Sequence, residues 1–205
     1  MLRLLVTLLS LITLVGCGGG HNPDLVAADG SDPNQKVGKY NFEVLFGRDQ
    51  LKYGSGRLQG TGSVRMRDLL SAPRVATNYD LTFRVGPGGS LSLVSNTHRS
   101  LDAGIQINIS WPANSKKFAV EILTPATRQD ISAAFSDLDP VAEHRFSIDV
   151  HNDHFQPEVI IWKDDQNEPA IEQSIPGSGA GVNWGFHLDH SILSNVERQL
   201  AREQH

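Results

Sequence analysis

Cysteine is almost absent from this chain, which has a single one, Cys17, among 205 residues. One cysteine excludes a disulfide within the chain, so the fold must be stabilised by its core, which a chain of this length can bury. Basic residues are also fewer than acidic ones, 18 Lys and Arg against 23 Asp and Glu. The net negative charge argues against nucleic acid or an anionic lipid surface as a partner.

Recognisable catalytic motifs are lacking too. The sequence contains no Gly-x-Ser-x-Gly turn and no His-Glu-x-x-His string. Retaining glycosidases need two carboxyl groups about 5 Å apart, which alternate strand positions supply. No Glu-x-Asp-x-Glu string is present: Glu121 and Glu158 stand singly among apolar residues, and Asp149 has no Glu two positions away. We therefore expect a protein that is not an enzyme, with a glycan-active enzyme as the least favoured reading.

The one long apolar run lies at the N-terminus. Arg3 precedes a nearly unbroken apolar stretch over residues 4–15. A positive start followed by such a stretch is typical of a secretory signal, and the run is shorter than the roughly 20 residues that span a bilayer. We expect residues 1–16 to be a signal peptide.

The run ends in Leu14-Val15-Gly16-Cys17, which resembles the lipobox of bacterial lipoproteins. This resemblance implies that a diacylglyceryl group is attached to the Cys17 thiol and that the chain is cut just before it. Lipidation explains a lone thiol in an exported chain, whereas the alternative is an ordinary signal peptide with an incidental cysteine. Gly18 follows, in place of the Asp typical of inner-membrane retention, which implies the outer membrane if the source is Gram-negative.

Glycine, proline, asparagine and aspartate dominate the next segment. These residues favour turns and linkers, so residues 17–38 are predicted to be a lipidated, flexible tether. The alternative is that Leu25 and Val26 dock on the domain. The globular domain is then predicted over residues 39–193, with a C-terminal tail over 194–205.

Apolar and polar residues alternate from Tyr40 onward, which is the period of a strand with one buried face. Turn residues such as Gly86-Pro87-Gly88-Gly89 separate the alternating runs. Many short strands with turns between them predict an all-β antiparallel sandwich. Helical spacing is confined to residues 127–138 and 191–204, where short helices are expected. The apolar members of the clearest runs are Tyr40, Phe42, Val44, Phe46, Tyr79, Leu81, Phe83, Val85, Ile105, Ile107, Ile109, Trp111, Phe146, Ile148, Val150, Trp184, Phe186 and Leu188.

Three segments extend this interpretation. Residues 144–152 followed by 158–164 resemble the central hairpin of concanavalin-like and laminin-G-like jelly rolls, and residues 181–189 resemble their closing strand. The resemblance covers about residues 40–193 and rests mainly on the alternation of apolar and polar residues. It implies a jelly-roll sandwich, and by analogy a module that binds a ligand such as a glycan.

Histidines and acids offer two candidate metal sites. His151, His187 and Asp189 fall on polar strand faces and would form a zinc set if their strands were neighbours. The alternative is that these histidines are solvated at the surface. Asp164 and Asp165 lie in an acidic turn that could hold calcium, although hairpin turns select Asp in any case. We expect no required cofactor.

Two tryptophans are candidate stacking platforms for sugar rings. Trp111 and Trp162 each end an apolar run, so the core is the alternative place for both. Taken together, the sequence predicts a membrane-anchored lipoprotein that displays a non-catalytic binding module, with glycan as the candidate ligand. The alternative is a structural or assembly lipoprotein that contacts other envelope proteins.

Overall fold

A computed structural model of the chain describes residues 26–27, 36–66, 76–97, 101, 103–151, 158–176 and 183–200. Within these ranges the only helical element is a 3-10 turn, Ser132–Phe135, and no helix is long and apolar enough to cross a membrane. The predicted all-β class is confirmed, while the signal peptide and Cys17 lie outside the described residues. The strands are β1 (Val26–Ala27), β2 (Glu43–Phe46), β3 (Leu51–Gly54), β4 (Arg57–Met66), β5 (Thr77–Thr97), β6 (Ile105–Ser110), β7 (Ala119–Leu123), β8 (Arg128–Asp130), β9 (His144–His151), β10 (Glu158–Lys163), β11 (Ile171–Ser174) and β12 (Asn183–Leu200).

Three long strands, β4, β5 and β12, run through both layers of an antiparallel sandwich. In one layer, here sheet 1, the order is β11-β10-β9-β5-β12-β4-β3-β1, using the first half of β5 and the second half of β12. In the other layer, sheet 2, the order is β8-β7-β6-β5-β12-β4-β2, using the opposite halves. Both layers are therefore parts of one hydrogen-bonded sheet folded over on itself.

The three shared strands bend at the same level. The register of β12 shifts between Leu188 and Ser191 against β4, and between Asp189 and Ser191 against β5. His190, within this stretch, has a φ of 45°. Strand β5 bends at residues 86–89, where a Cβ on Gly89 would lie 2.4 Å from the Asp189 carbonyl oxygen. The sequence predicted a turn between two strands at these glycines. They instead permit a close backbone approach that lets one strand cross between layers.

Side chains from both inner faces fill the space between the sheets. Trp184 is 1% exposed and packs edge-on against Phe42 at 5.3 Å and Phe186 at 5.9 Å between ring centroids. Burying each large apolar side chain contributes about 1.5–3 kcal/mol. The predicted alternation is confirmed by the buried residues Tyr79, Leu81, Phe83, Val85, Ile105, Ile107, Ile109, Phe146, Ile148, Val150, Trp184, Phe186 and Leu188.

The N-terminal segment contributes to the domain within residues predicted to be a free tether. Val26 and Ala27 pair with Tyr53 and Lys52, and Val37 is only 2% exposed. For Val26 and Ala27, the structure therefore shows the alternative, in which this part of the segment packs on the domain. The same alternation fails at Phe46, which is 68% exposed because the pairing of β2 with β4 shifts between Val44 and Phe46.

Neither predicted helix forms. Residues 127–138 supply β8 and the 3-10 turn, and β12 continues to residue 200, so the expected domain boundary at 193 falls inside a strand. Leu193 and Val196 are both fully buried although they lie three positions apart. A register shift between Leu193 and Asn195 adds a residue to the strand and produces this helix-like spacing.

Candidate ligand-binding faces

The outer face of sheet 2 carries a row of polar side chains at one level across six strands. The strand registers place each member directly opposite the next. Residues directly opposite on neighbouring strands share a face and lie within contact distance. This row, named the polar ladder, consists of Ser63, His187, Ser92, Asn108, Glu121 and Asp130.

Hydrogen bonds orient side chains along the polar ladder. Ser63 Oγ lies 2.7 Å from His187 Nδ1, and Ser92 donates from Oγ to Asn108 Oδ1 at 2.9 Å. The Asn108 amide nitrogen donates onward to Glu121 at 3.5 Å. These bonds fix the side-chain rotamers before any ligand arrives, which lowers the entropic cost of binding.

A charged pair closes one end of the polar ladder. Arg128 donates to Glu121 Oε1 from Nε at 2.9 Å and from Nη2 at 2.6 Å. The Arg128 side chain is 72% exposed and that of Glu121 only 16%. Beside them, hydrogen bonds from Ser132, and to a smaller extent the charge of Arg128, hold the pKa of Asp130 below its usual range. The face thus offers an amide, two carboxylates and a guanidinium, the groups that pair with hydroxyls.

A second feature lies on the outer face of sheet 1. Asp80, Ser147 and Trp162 are successive neighbours across β5, β9 and β10. They line a cleft of about 310 Å³ together with Arg145, Asp165 and Gln166. Trp162 is half-buried because its strand turns Ile161, and not Trp162, toward the core. The alternative placement of Trp162 in the core is therefore not what the structure shows, and this half-buried side chain remains a candidate platform.

Arg145 closes one end of this cleft. Its Nη1 lies 2.8 Å from Asp165 Oδ1, and its Nη2 lies 3.8 Å from Asp80 Oδ2. Two carboxylates around one guanidinium leave the cleft with a net charge of about −1. Ion pairs hold this side chain in position although half of it is exposed.

The acidic turn that was a candidate calcium site has internal partners. Asp164 and Asp165 have φ values of 46° and 60°, a conformation that Asp tolerates in tight turns. The Asp164 carboxylate lies 2.7 Å from His144 Nδ1 and accepts from the Arg145 backbone N–H at 2.9 Å. His144 is 5% exposed, and its other ring nitrogen lies 2.8 Å from the Asp139 carbonyl oxygen. These contacts tie the turn to the core.

The predicted zinc set is not brought together. His151 lies on β9 in sheet 1, while His187 and Asp189 lie on the part of β12 in sheet 2. His151 has Asp149 at 3.8 Å, and Asp189 accepts from Thr61 Oγ1 at 3.1 Å. Among the described residues, no three His, Cys, Asp or Glu side chains are grouped so as to hold a metal ion.

Trp111, the other predicted platform, is anchored at the end of sheet 2. Its indole Nε1 donates to the Ser115 carbonyl at 2.8 Å, and its ring packs partly against the core. The ladder residues Ser92, Asn108 and Glu121 were not among the site residues predicted from the sequence. In the sequence, each of these residues is a polar member of a run that alternates apolar and polar residues. Only the strand order shows that the three residues align.

Neither a protein-family model nor a curated protein matches the chain in sequence. Among solved structures, the carbohydrate binding module CBM66 from Bacillus subtilis is similar, with 11% identity and a TM-score of 0.50 over 86% of this chain and 95% of that one. The VIP36 exoplasmic/lumenal domain in its Ca²⁺/Man2-bound form shares 12% identity, with a TM-score of 0.54 over 89% of each chain. The Bacillus licheniformis β-glucanase shares 12% identity, with a TM-score of 0.54 over 90% of this chain and 95% of that one. These likenesses confirm the jelly-roll fold.

Proposed function

We propose that this domain is a non-catalytic saccharide-binding module that uses the polar ladder of sheet 2. The observation that carries the proposal is the alignment of Ser92, Asn108 and Glu121 on three adjacent strands, linked by hydrogen bonds and closed by Arg128. A row of this kind presents alternating donors and acceptors at roughly the 4.8 Å spacing of neighbouring strands. A ligand that carries several hydroxyl groups can pair with such donors and acceptors.

Similar folds support the ligand class. One similar structure is described as a carbohydrate binding module, another contains Man2, and a third is a β-glucanase. At 11–12% identity they share the architecture alone, so the ligand is argued from the chemistry of the ladder.

The carboxylates of the ladder favour binding over catalysis. Glu121 and Asp130 are directly opposite on β7 and β8, the one arrangement in the ladder that resembles a glycosidase pair. A glycosidase needs one of its carboxyls to stay protonated as a general acid, with a raised pKa. The pKa of Asp130 is instead lowered by Ser132, and Glu121 is engaged by Arg128. Both groups are suited to accept hydrogen bonds from a ligand.

The proposal includes display from a membrane. The lipobox-like sequence ending at Cys17 supports a lipid anchor, and Gly18 supports the outer membrane in a Gram-negative source. Two acyl chains suffice for stable attachment. The module would then bind glycan while held at the envelope.

Glycan-array and peptidoglycan pull-down assays on the full-length chain test the function. The chain is kept in a polyoxyethylene detergent, which carries no sugar head group. We expect specific binding that falls at least tenfold in Asn108→Ala and Glu121→Gln, with unchanged melting temperature. Gln173→Ala, on β11 of the opposite sheet, is the matched control and should bind normally.

Two results would reject this function. One is a lack of binding to any glycan or to peptidoglycan, and the other is binding that both ladder variants retain. Crosslinking in cells separates the alternative, because only an assembly lipoprotein predicts a stoichiometric protein partner.

A further inference from the structure

The cleft on sheet 1 is built differently from the polar ladder and lies on the opposite face of the sandwich. Ser147, on the central strand of the three, has a much smaller side chain than Trp162 on one side and Asp80 on the other. Adjacent strands are about 4.8 Å apart, so the backbones that carry Asp80 and Trp162 are about 10 Å apart. A short side chain between two longer ones leaves a notch about one ring wide.

The walls of the notch have complementary chemistry. Trp162 offers an indole, whose face attracts the polarised C–H groups of a flat ring. Asp80 opposite it accepts hydrogen bonds, and Gln166 at the end of the cleft both donates and accepts. Arg145 supplies further N–H donors, held in place by Asp165.

The net negative charge of the cleft favours uncharged ligands over acidic ones. The two carboxylates outnumber the single guanidinium, and Asp80 is also directly opposite Glu197 on β12. Asp149, two residues from Ser147 on the same face of β9, adds another negative charge nearby. A uronic acid or a sulfated sugar placed in the notch would meet this excess of negative charge.

We propose that the notch formed by Asp80, Ser147 and Trp162 is a second saccharide site, which takes one uncharged pyranose ring and rejects acidic sugars. It is independent of the polar ladder, since the two lie on opposite outer faces of the sandwich. A chain with both sites would bind two glycan segments, or two parts of one network, at the same time. Such bivalency raises avidity without any new contact.

Fluorine NMR of the full-length chain labelled with 5-fluorotryptophan tests the proposal. The chain has three tryptophans, so three resonances are expected, and Trp162→Phe and Trp111→Phe assign them. The probes are the methyl pyranosides of glucose, galactose, mannose and N-acetylglucosamine, with glucuronic acid as the charged comparison. The protein is kept in a polyoxyethylene detergent.

We expect at least one neutral pyranoside to shift the Trp162 resonance in a saturable way, with a millimolar dissociation constant, while the Trp184 resonance does not move. Ser147→Leu fills the notch and should weaken binding at least tenfold. Ser174→Leu makes the same change on β11 and should leave binding intact. Circular dichroism and melting temperature confirm that both variants are folded.

Several results would overturn the second site. The first is the absence of a Trp162 shift with every neutral probe up to about 50 mM, a concentration far above the millimolar range of weak binding. The second is an equal Trp162 shift with glucuronic acid. The third is a Trp162 shift that persists in Ser147→Leu. Asn108→Ala separates the two sites: the Trp162 response should persist in this variant even if the polar ladder binds nothing. Loss of the response in Asn108→Ala would also refute the assignment to the notch.

Discussion

Tyr79 Oη lies 2.8 Å from Ser95 Oγ across the core, although both residues belong to strand β5. Tyr79 lies in the half of β5 that pairs with β9, and Ser95 in the half that pairs with β6. The two residues are 1% and 0% exposed. The hydrogen bond therefore joins the two layers through one strand that has folded back over itself.

Removing the Tyr79 hydroxyl should destabilise the domain. Tyr79→Phe leaves the buried Ser95 hydroxyl without this partner, at a cost of about 1–2 kcal/mol in the free energy of unfolding. Ser95→Ala should cost a similar amount, and the double variant less than the sum, because no unpaired group then remains. Urea unfolding measures all three, with Tyr53→Phe as the control. Full additivity would show that the two hydroxyls do not interact.

Alkaline stability should depend on the same residue. Burial raises the pKa of Tyr79 far above its ordinary value of about 10, and the hydrogen bond from Ser95 offsets only part of this effect. The folded chain keeps the phenol protonated where the unfolded chain ionises it. The stabilisation is thus complete below about pH 10 and is lost progressively as the pH rises further. Urea midpoints between neutral pH and about pH 11 should fall more steeply for the wild type than for Tyr79→Phe.

Acid should weaken a different contact. Lys163 is 6% exposed, donates to the Ala134 carbonyl at 2.7 Å, and forms an ion pair with Asp137. The hydrogen bond from Lys163 lowers the pKa of the Asp137 carboxyl below 3.8. This contribution is present above the unfolded pKa of 3.8 and is lost as the pH falls through the lower folded value. Melting temperatures of wild type and Asp137→Asn should converge as the pH falls from 3.8 through the lower folded value. A constant difference would contradict this assignment.

Two glycines form a matched pair: Gly38, in the segment before β2, and Gly56, in the turn between β3 and β4. Gly38 and Gly56 have φ values of 59° and 74°, so alanine at either position costs about 1–2 kcal/mol in backbone strain. A Cβ on Gly38 would also lie 2.3 Å from the Val196 carbonyl oxygen, while one on Gly56 meets nothing within 4 Å. The free energy of unfolding should therefore be lower for Gly38→Ala than for Gly56→Ala by about 1–3 kcal/mol. Equal losses in chemical unfolding would mean that residues around Gly38 do not pack on β12.

Anchoring and folding should be separable. Replacing residues 1–17 by an ordinary cleavable signal keeps Val26 and Val37, which reach the domain. The product should be soluble and monodisperse, with a β-type circular dichroism spectrum and a cooperative thermal transition. Cys17→Ser in the full-length chain should abolish incorporation of labelled fatty acid. Aggregation of the signal-swapped product would show that the lipid or the anchor region is part of the fold.

Local alternation predicted the strands because one face of each is buried, as in Tyr79 to Val85 and Ile105 to Ile109. It did not predict that β5 continues through residues 86–89, since glycine and proline there have the composition of a turn. It also failed in β12, where the extra residue near Ser194 changes the phase of burial. In both places the tertiary bend overrides the local pattern.

The candidate sites were less predictable than the fold. Asn108, Glu121 and Ser92 are polar members of three separate runs, and nothing local in the sequence says that these runs are neighbours in register. The sequence predicts Trp162 as a candidate stacking platform, but its partners Asp80 and Ser147 come from strands far away in the chain. Strand order depends on packing of the whole domain, so sites assembled across strands emerge only with the tertiary structure.

The placement of β12 in the middle of both layers has a consequence for how the chain is made. Its partners β4 and β5 are separated from it by about a hundred residues, so loop closure must precede most of the sheet contacts and folding is expected to be slow. A nascent chain that has not yet reached residue 183 lacks the strand that both layers need. It would remain unfolded until β12 is available, and an unfolded polypeptide can be threaded through a narrow channel before it acquires its shape.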